Sequence, residues 1–534
     1  MKKLMIYSAL VAYVLLAGCT KKFDDLNTDP TKASSSSFDP NLLLPSSELN
    51  YIGAIQGYGG ALLFQSMWAQ ILADAEYPAY YTNGDKYVAS GNILSYNASV
   101  WGNAYSGAGN AQEIINLTAT KDELSNLRGI ALIVKLFNLE LITDTYGDVP
   151  FSEAVQAKTG FLSPVYDKQQ DIYTSLLAKL DSVIPTLDAS KAKPTNDIIY
   201  GGDIAKWKKF GYTFMLRAAM RLTKADAATA KQYAEKAFAG GTFAGNADNA
   251  YITFDNSNGY SNGNSGALVV VEDYTQVRWG KGVIDRLKTD ADPRLSVIAE
   301  VPQPGLANSG NQSLAGNSTF ALQQGMPNGN DQNGQATDIT NAPGYPGGTG
   351  VGNDLNKIGG YSRPTTSLYL ALNTPGFLLT YAESELLLAE AAVNGWNVGA
   401  SAATHYANGL SAALQTYGTL NSTTPISAAT ADTYAAAHPL DVSTTDNSLQ
   451  QINTQYWITT GTLFNFEEAW TNWRRSGYPV LTPVNYIGNF TGGTIPRRQI
   501  YPVGEAQTNP VNLNAAVNAL SGGDNWTSHV WWDK

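Results

Sequence analysis

Apolar residues recur three and four apart over long stretches of this chain, and that spacing predicts helices. Residues 123–143 carry Leu124, Leu127, Ala131, Val134 and Leu141 on one face. Residues 168–187 place Ile172, Leu176, Leu180 and Ile184 four apart, and residues 203–222 carry Trp207, Phe210, Phe214 and Ala218. An Ala-rich partner over 225–239 is closed by Gly240-Gly241, a C-terminal stop. Thr380-x-x-Glu383 reads as a capping box. It precedes Ala382, Leu386, Ala389 and Val393 on one face, with Gly395 as the stop. Residues 399–416 read as the antiparallel partner. Residues 463–475 place Phe466, Trp470 and Trp473 on one stripe. Arg474 and Arg475 fall in the last turn, and Gly477 and Pro479 lie beyond.

Helices in adjacent pairs joined by short turns predict an all-α body of stacked hairpins with little sheet. No clean 34-residue repeat is legible. Between the pairs lie Gly/Asn/Ser-rich tracts at 241–266 and 304–364, and tracts that long inside a compact body are usually functional or mobile.

The start of the chain reads differently. Lys2 and Lys3 precede an apolar run from Leu4 to Leu16, about 13 residues against the about 20 that span a bilayer. The run ends in Leu16-Ala17-Gly18-Cys19, which resembles a lipobox, and Cys19 is the only cysteine of the chain. The expectation is a signal peptide over 1–18, then a lipidated Cys19 carrying acyl chains such as palmitate. A polar tether to residue 40 and one large domain over 41–534 follow.

Charge narrows the partners. The formal charge is −11 at pH 7, and loss of Lys2 and Lys3 with the leader makes it −13. A pI near 4.9 argues against nucleic acid. Only 15% of residues are charged. A surface rich in Gly, Asn, Ser, Thr and Tyr suits neutral sugars or peptide backbones, and equally suits an exported protein with many loops.

Little here points to catalysis. His405, His438 and His529 form no metal pattern, and no Gly-x-Ser-x-Gly elbow or P-loop occurs. No cofactor is expected. A glycosidase needs only two carboxylates, so Glu383, Glu385 and Glu390, and the pair Glu467-Glu468, keep that alternative open beside cap or surface roles. Residues 144–148 and 328–354 hold oxygen donors enough for calcium but match no EF-hand. A solvated loop is the simpler reading, and metal binding stays undetermined.

Aromatics supply the candidate site. Glu76-Tyr77-Pro78-Ala79-Tyr80-Tyr81 lies in a polar loop ending in Asn83-Gly84, and Tyr274 and Trp279 lie in a second. Tyr77, Tyr80, Tyr81, Tyr274 and Trp279 are read as ligand-stacking candidates, against packing between loops. Trp101 is a weaker one, opening a helix nearby. If these fail, the 328–361 loop with Tyr345 and Tyr361 is next.

Several short motifs then fit one family. They are Phe23-Asp-Asp-Leu-Asn27-Thr-Asp-Pro30, Tyr146-Gly-Asp-Val-Pro-Phe151-Ser-Glu-Ala154 and Tyr200-Gly-Gly-Asp203 leading to Lys206-Trp-Lys-Lys-Phe210 and Leu216-Arg217. Then come Asp292-Pro-Arg-Leu295, Tyr381-Ala-Glu383 with Leu388-Ala-Glu-Ala391, and Glu468-Ala-Trp470 with Trp473-Arg-Arg475. The last is Val530-Trp-Trp-Asp533. In their order and spread, the chain resembles the SusD/RagB-like nutrient-binding lipoproteins of the outer membrane. The resemblance implies a helical body with four tetratricopeptide-like hairpins and a ligand site on irregular loops. It also implies an oligosaccharide or peptide ligand and a SusC-like TonB-dependent transporter as partner at the cell exterior. It implies binding without catalysis. A surface-anchored glycoside hydrolase is the alternative.

Overall fold

A computed structural model describes residues 38–534 apart from 77–80, 90–92 and 424. The expected leader, Cys19 and most of the tether, as well as Tyr77 and Tyr80, lie outside the described residues. Asn41–Lys534 forms one compact unit.

Capping residues set the ends of the main helices, and helical turns shorter than eight residues carry no number below. Helices α1 (Leu44–Ile55), α2 (Ser99–Thr118) and α3 (Ser125–Tyr146) pack in sequence order. Next come α4 (Gln169–Val183), α5 (Ile204–Arg221) and α6 (Ala227–Gly240). Asp203 caps α5 by accepting from the Ala205 and Lys206 amides at 3.0 and 3.1 Å. Helix α6 stops where Gly241 turns left-handed at φ +99°. After a long irregular stretch containing α7 (Lys281–Thr289), the hairpin of α8 (Tyr381–Val393) and α9 (Ala402–Gln415) follows. Then come α10 (Ala428–Ala437), α11 (Thr445–Thr462), α12 (Phe466–Ser476) and α13 (Pro510–Ala519). The capping box of α8 is complete: the Thr380 amide donates to Glu383 at 2.8 Å and the Glu383 amide to Thr380 Oγ1 at 3.2 Å.

The pairs α2/α3, α5/α6, α8/α9 and α11/α12 are each in extensive contact. Their inward stripes join one large apolar core that includes Trp207, Trp457, Trp470 and Trp532. A buried ionic web crosses that core. Arg217 reaches Glu140 at 2.7 Å, and Arg221 reaches Asp144 at 3.1 Å and also Glu468. Tyr456 donates to the same Glu468 at 2.7 Å. Burial would raise the Glu468 carboxyl, but Arg221 and Arg217 hold it below the ordinary carboxylate range.

Sheet is minor. Three antiparallel ladders pair β1 (Leu72–Asp74) with β3 (Val277–Trp279), β2 (Ala250–Ile252) with β6 (Gly376–Leu379), and β4 (Ala299–Glu300) with β5 (Arg363–Pro364). The loop expected around Tyr274 and Trp279 is therefore a helical turn, Val271–Gln276, running into β3. The 304–364 tract is stitched by its own side chains. Asp331 accepts from the Asn333 amide at 3.1 Å, from Thr337 at 2.6 Å and from Tyr486 at 2.5 Å. Beneath it lies a separate small core of Ala73, Ala75, Met326, Ile339, Ala342, Ile358 and Tyr361.

Candidate functional site

The β1–β3 ladder brings the two aromatic segments to one place. Leu72 pairs with Trp279, Ala73 with Arg278 and Asp74 with Val277. An antiparallel register then sets Glu76, just past β1, beside the 271–276 turn that enters β3. There the Tyr58 hydroxyl donates to the buried Asp273 carboxylate, and the Tyr81 hydroxyl faces the same group. The Tyr96 ring lies 6.3 Å from that of Tyr58, and both are half-buried. Burial raises the Asp273 carboxyl, and the Tyr58 and Tyr81 hydroxyls oppose that rise. Glu76 is raised by burial and then by the charge of Asp273. Burial, then the Asp273 charge, pushes the Tyr81 hydroxyl well up. The result is a patch of hydroxyls, carboxylates and half-buried tyrosine rings.

The root of this patch is rigid. Lys86, fully buried, donates to the Asp74 carbonyl at 2.7 Å and to Asp85 at 3.1 Å. Asp85 in turn accepts from Asn328 at 2.6 Å and from the Gly329 amide at 2.8 Å, locking the loop to the 304–364 tract. Burial pushes the Asp74 carboxyl up to about 7 against the pull of Lys86. Arg278, also fully buried, has no carboxylate partner among the described residues. It donates to the Val277 carbonyl at 2.8 Å, to Ser309 at 2.8 Å and to Ile358 at 3.3 Å, and burial pulls its guanidinium down to about 9.

The candidate rings take different places. Trp279 is enclosed: its indole N–H donates to Ile298 at 3.1 Å and its ring packs 5.6 Å from Tyr369 and 5.8 Å from Phe464. Tyr274 is enclosed as well, donating to the Pro364 carbonyl at 2.7 Å with Arg363 stacked 4.5 Å over its ring. Neither offers a face to a ligand, which corrects the expectation of exposed stacking rings at these two positions. The ladder buries all three residues of β3, Trp279 among them, and the Arg363–Pro364 strand closes over Tyr274 in the preceding turn. Tyr81 is also buried, so its ring face is closed to a ligand as well. Trp101 stands apart and half-buried, in a nest with Tyr105 at 4.8 Å, Tyr146 at 5.2 Å and Tyr501 at 6.3 Å. Tyr58, Tyr96 and Asp273 are members that the residue pattern did not single out. The signal for Tyr58 is its place in Gly57-Tyr58-Gly59-Gly60, a glycine-rich turn.

The clustered glutamates are all buried rather than on the surface. Glu383 closes the cap of α8. Glu385 meets His405 at 3.0 Å, and Glu390 pairs with Arg475 at 2.5 Å. Glu467 accepts from Thr145 at 2.9 Å, and Glu468 joins the web described above. None is placed as a free catalytic pair. Asp144 accepts from Tyr173 and from Trp532 at 2.9 Å. Asp338 holds Lys357 at 2.8 Å. Among the described residues no group of three or more His, Cys, Asp or Glu side chains is arranged to hold a metal ion.

A family model described as SusD-like, "Starch-binding associating with outer membrane", matches residues 60–502. No curated protein matches the chain. Among solved structures, a chitin-binding protein superposes with a TM-score of 0.76 at 32% identity, covering 93% of this chain and 100% of its own. A Bacteroidetes SusD-like protein superposes at 0.76 with 23% identity, over 93% of this chain and 100% of that one. A chitin-binding SusD homologue from Flavobacterium johnsoniae superposes at 0.72 with 23% identity, over 93% and 98%. No described helix is long and apolar enough to cross a membrane.

Proposed function

Since the chain belongs to the SusD-like family of starch-binding proteins associated with the outer membrane, we propose that it is a glycan-capturing surface lipoprotein whose ligand is a chitin-type oligosaccharide. The observation that carries this reading is the 32% identity to a chitin-binding protein over 93% of the chain. The anchor is the acylated Cys19. The partner is a TonB-dependent transporter of the SusC type, which receives the oligosaccharide and supplies the driving energy. A tether at the anchor keeps the body at high effective concentration over that transporter while leaving it free to open and close.

The Tyr58–Asp273 patch suits such a ligand. Tyr58 and Tyr96 present partly open rings to the apolar face of a sugar. Asp273 and Glu76 accept from sugar hydroxyls, and the Lys86–Asp85 clamp and Arg278 keep these groups in place before the ligand arrives. Tyr77 and Tyr80 belong to the same loop and remain stacking candidates. Glu383, Glu385, Glu390 and Glu468 of the hydrolase alternative are engaged in a helix cap and ion pairs and Glu467 is buried on Thr145, which favours binding over catalysis. A panel of chito-oligosaccharides, starch oligosaccharides and peptides, scored for binding and for released sugar, tests the reading. The expected result is chito-oligosaccharide binding without cleavage. Binding of peptides alone, or sugar release, overturns it.

A further inference from the structure

A second polar cleft lies at the far end of the same ladder. Past Trp279 the chain enters α7, with the Gly280 amide on Ile71 and the Lys281 amide on Met326, each at 2.8 Å. Helix α7 buries Val283, Ile284 and Leu287. Its opposite stripe, Lys281, Asp285 and Thr289, lines a cleft of about 350 Å³ walled by Gln324, Pro343 and Tyr361. A neighbouring cleft of about 480 Å³ shares Lys281, Asp285 and Pro327 and extends the groove toward Thr482 and Val484. These volumes are within the range of small-ligand sites, about 300–1,000 Å³. Glu76 and Asp273 sit at the other end of the ladder, so the groove is separate from the tyrosine patch by its three residues, about 10 Å.

Two observations specify what the cleft takes. The Tyr361 side chain is 1% exposed, and its hydroxyl has no hydrogen-bond partner among the described residues. Its neighbour Tyr345, by contrast, donates to the Lys357 carbonyl at 2.7 Å. A buried hydroxyl without a partner is uncommon and calls for one. The charged groups in the cleft already have hydrogen-bond partners. Lys281 pairs with Asp285, and Lys288 donates to the Ala321 and Gln323 carbonyls at 3.2 and 2.8 Å. Lys288 leaves one net positive charge whose donors are engaged on carbonyls, and the rest of the lining offers a neutral polyol amide, hydroxyl, carboxylate and proline surface. We infer that this groove is a second saccharide subsite, which holds a neutral sugar unit against Pro327 and Pro343 with the Tyr361 hydroxyl as a hydrogen-bond partner. The inference rests on the glycan-binding reading above and adds a site to it.

Calorimetry with chitohexaose tests it on the full-length protein and on Tyr361→Phe, Asp285→Trp and Tyr58→Ala. Losing one hydrogen bond should make Tyr361→Phe about three- to tenfold weaker, with an unfolding midpoint equal to or above that of the wild type. Asp285→Trp, introduced at a half-exposed position, should fill the groove and weaken binding at least as much. If both groove variants bind like the wild type while Tyr58→Ala is weaker, the groove is no subsite and the tyrosine patch stands. An affinity loss in Tyr361→Phe accompanied by a lower unfolding midpoint also overturns the inference, because the hydroxyl then serves the fold. A wild type that binds no saccharide overturns the glycan reading and the subsite together.

Discussion

Replacing Arg475 by Met should remove a large part of the stability of the body. The guanidinium is 1% exposed and its partner Glu390 is 4% exposed. Two parallel bonds join them, at 2.5 and 2.7 Å, and Arg475 also holds Asn453 at 2.9 Å and Asn472 at 2.7 Å. These contacts tie α12 to α8 and α11. Without Arg475, Glu390 is left in the interior with Asn453 as its remaining donor, at 3.0 Å. Breaking such a buried pair from one side costs about 3–5 kcal/mol, against a whole-domain stability of about 5–15 kcal/mol. Glu390→Leu should cost a similar amount for the mirror-image reason. The double variant Arg475→Met/Glu390→Leu should recover about 2 kcal/mol or more of the summed loss, because no buried charge is then left alone. Lys236→Met is the control. Its pair with Asp181 has side chains 47% and 32% exposed and should contribute less than about 1 kcal/mol. Urea unfolding followed by tryptophan fluorescence gives the midpoints, and an unchanged slope licenses the comparison. An Arg475→Met midpoint within about 0.5 kcal/mol of wild type would refute the claim that this network fixes α12.

Three further outcomes are expected. His405 has both ring nitrogens on acceptors, Glu385 at 3.0 Å and the Val398 carbonyl at 2.9 Å. Burial pulls its pKa down, but the hydrogen bond and charge of Glu385 outweigh that and raise it above the usual 6.5. Its stabilisation is therefore complete below that value and lost as pH rises through the raised one. The stability gap between wild type and His405→Gln should be wider near about pH 5.5 than near about pH 8.5, and a pH-independent gap would contradict this. Trp473, 7% exposed beneath Arg497 at 4.7 Å, should cost about 3–5 kcal/mol on truncation to Ala, read from the same urea curves, and a surface-like effect would count against its buried role. Cys19→Ala should release the protein from membranes and abolish acyl-analogue labelling, and membrane retention of that variant would remove the proposed anchor.

The helical frame was legible because its signals are local. Thr380 and Glu383 are three residues apart, Gly241 and Gly477 adopt the left-handed backbone expected of stops, and the Phe466/Trp470/Trp473 stripe lies on one helix face. The site was less legible because its geometry is set by contacts between residues far apart in sequence. Glu385, Glu390 and Glu468 look like surface acids until His405, Arg475 and Arg221 arrive from other helices. Tyr274 and Trp279 look exposed amid polar neighbours, yet Trp279 sits in a strand of three residues, too short to announce itself, whose pairing with Leu72–Asp74 buries it, and Arg363 and Pro364 close over Tyr274. Gly/Asn-rich composition suggested that the 304–364 tract is functional or mobile. What composition does not encode is that its Asp331 and Asp338 carboxylates fold it back on itself.

Glycan capture at the Tyr58–Asp273 patch is the proposal on which the others rest. The direct measurement is calorimetric titration of chito-oligosaccharide into wild type, Tyr58→Ala and Asp273→Ala, with unfolding midpoints recorded alongside. A binding hot spot truncated to Ala costs about 2 kcal/mol or more, close to thirtyfold in affinity. That loss is expected in both variants, with midpoints near that of the wild type for Tyr58→Ala. Undiminished affinity in both variants would contradict it.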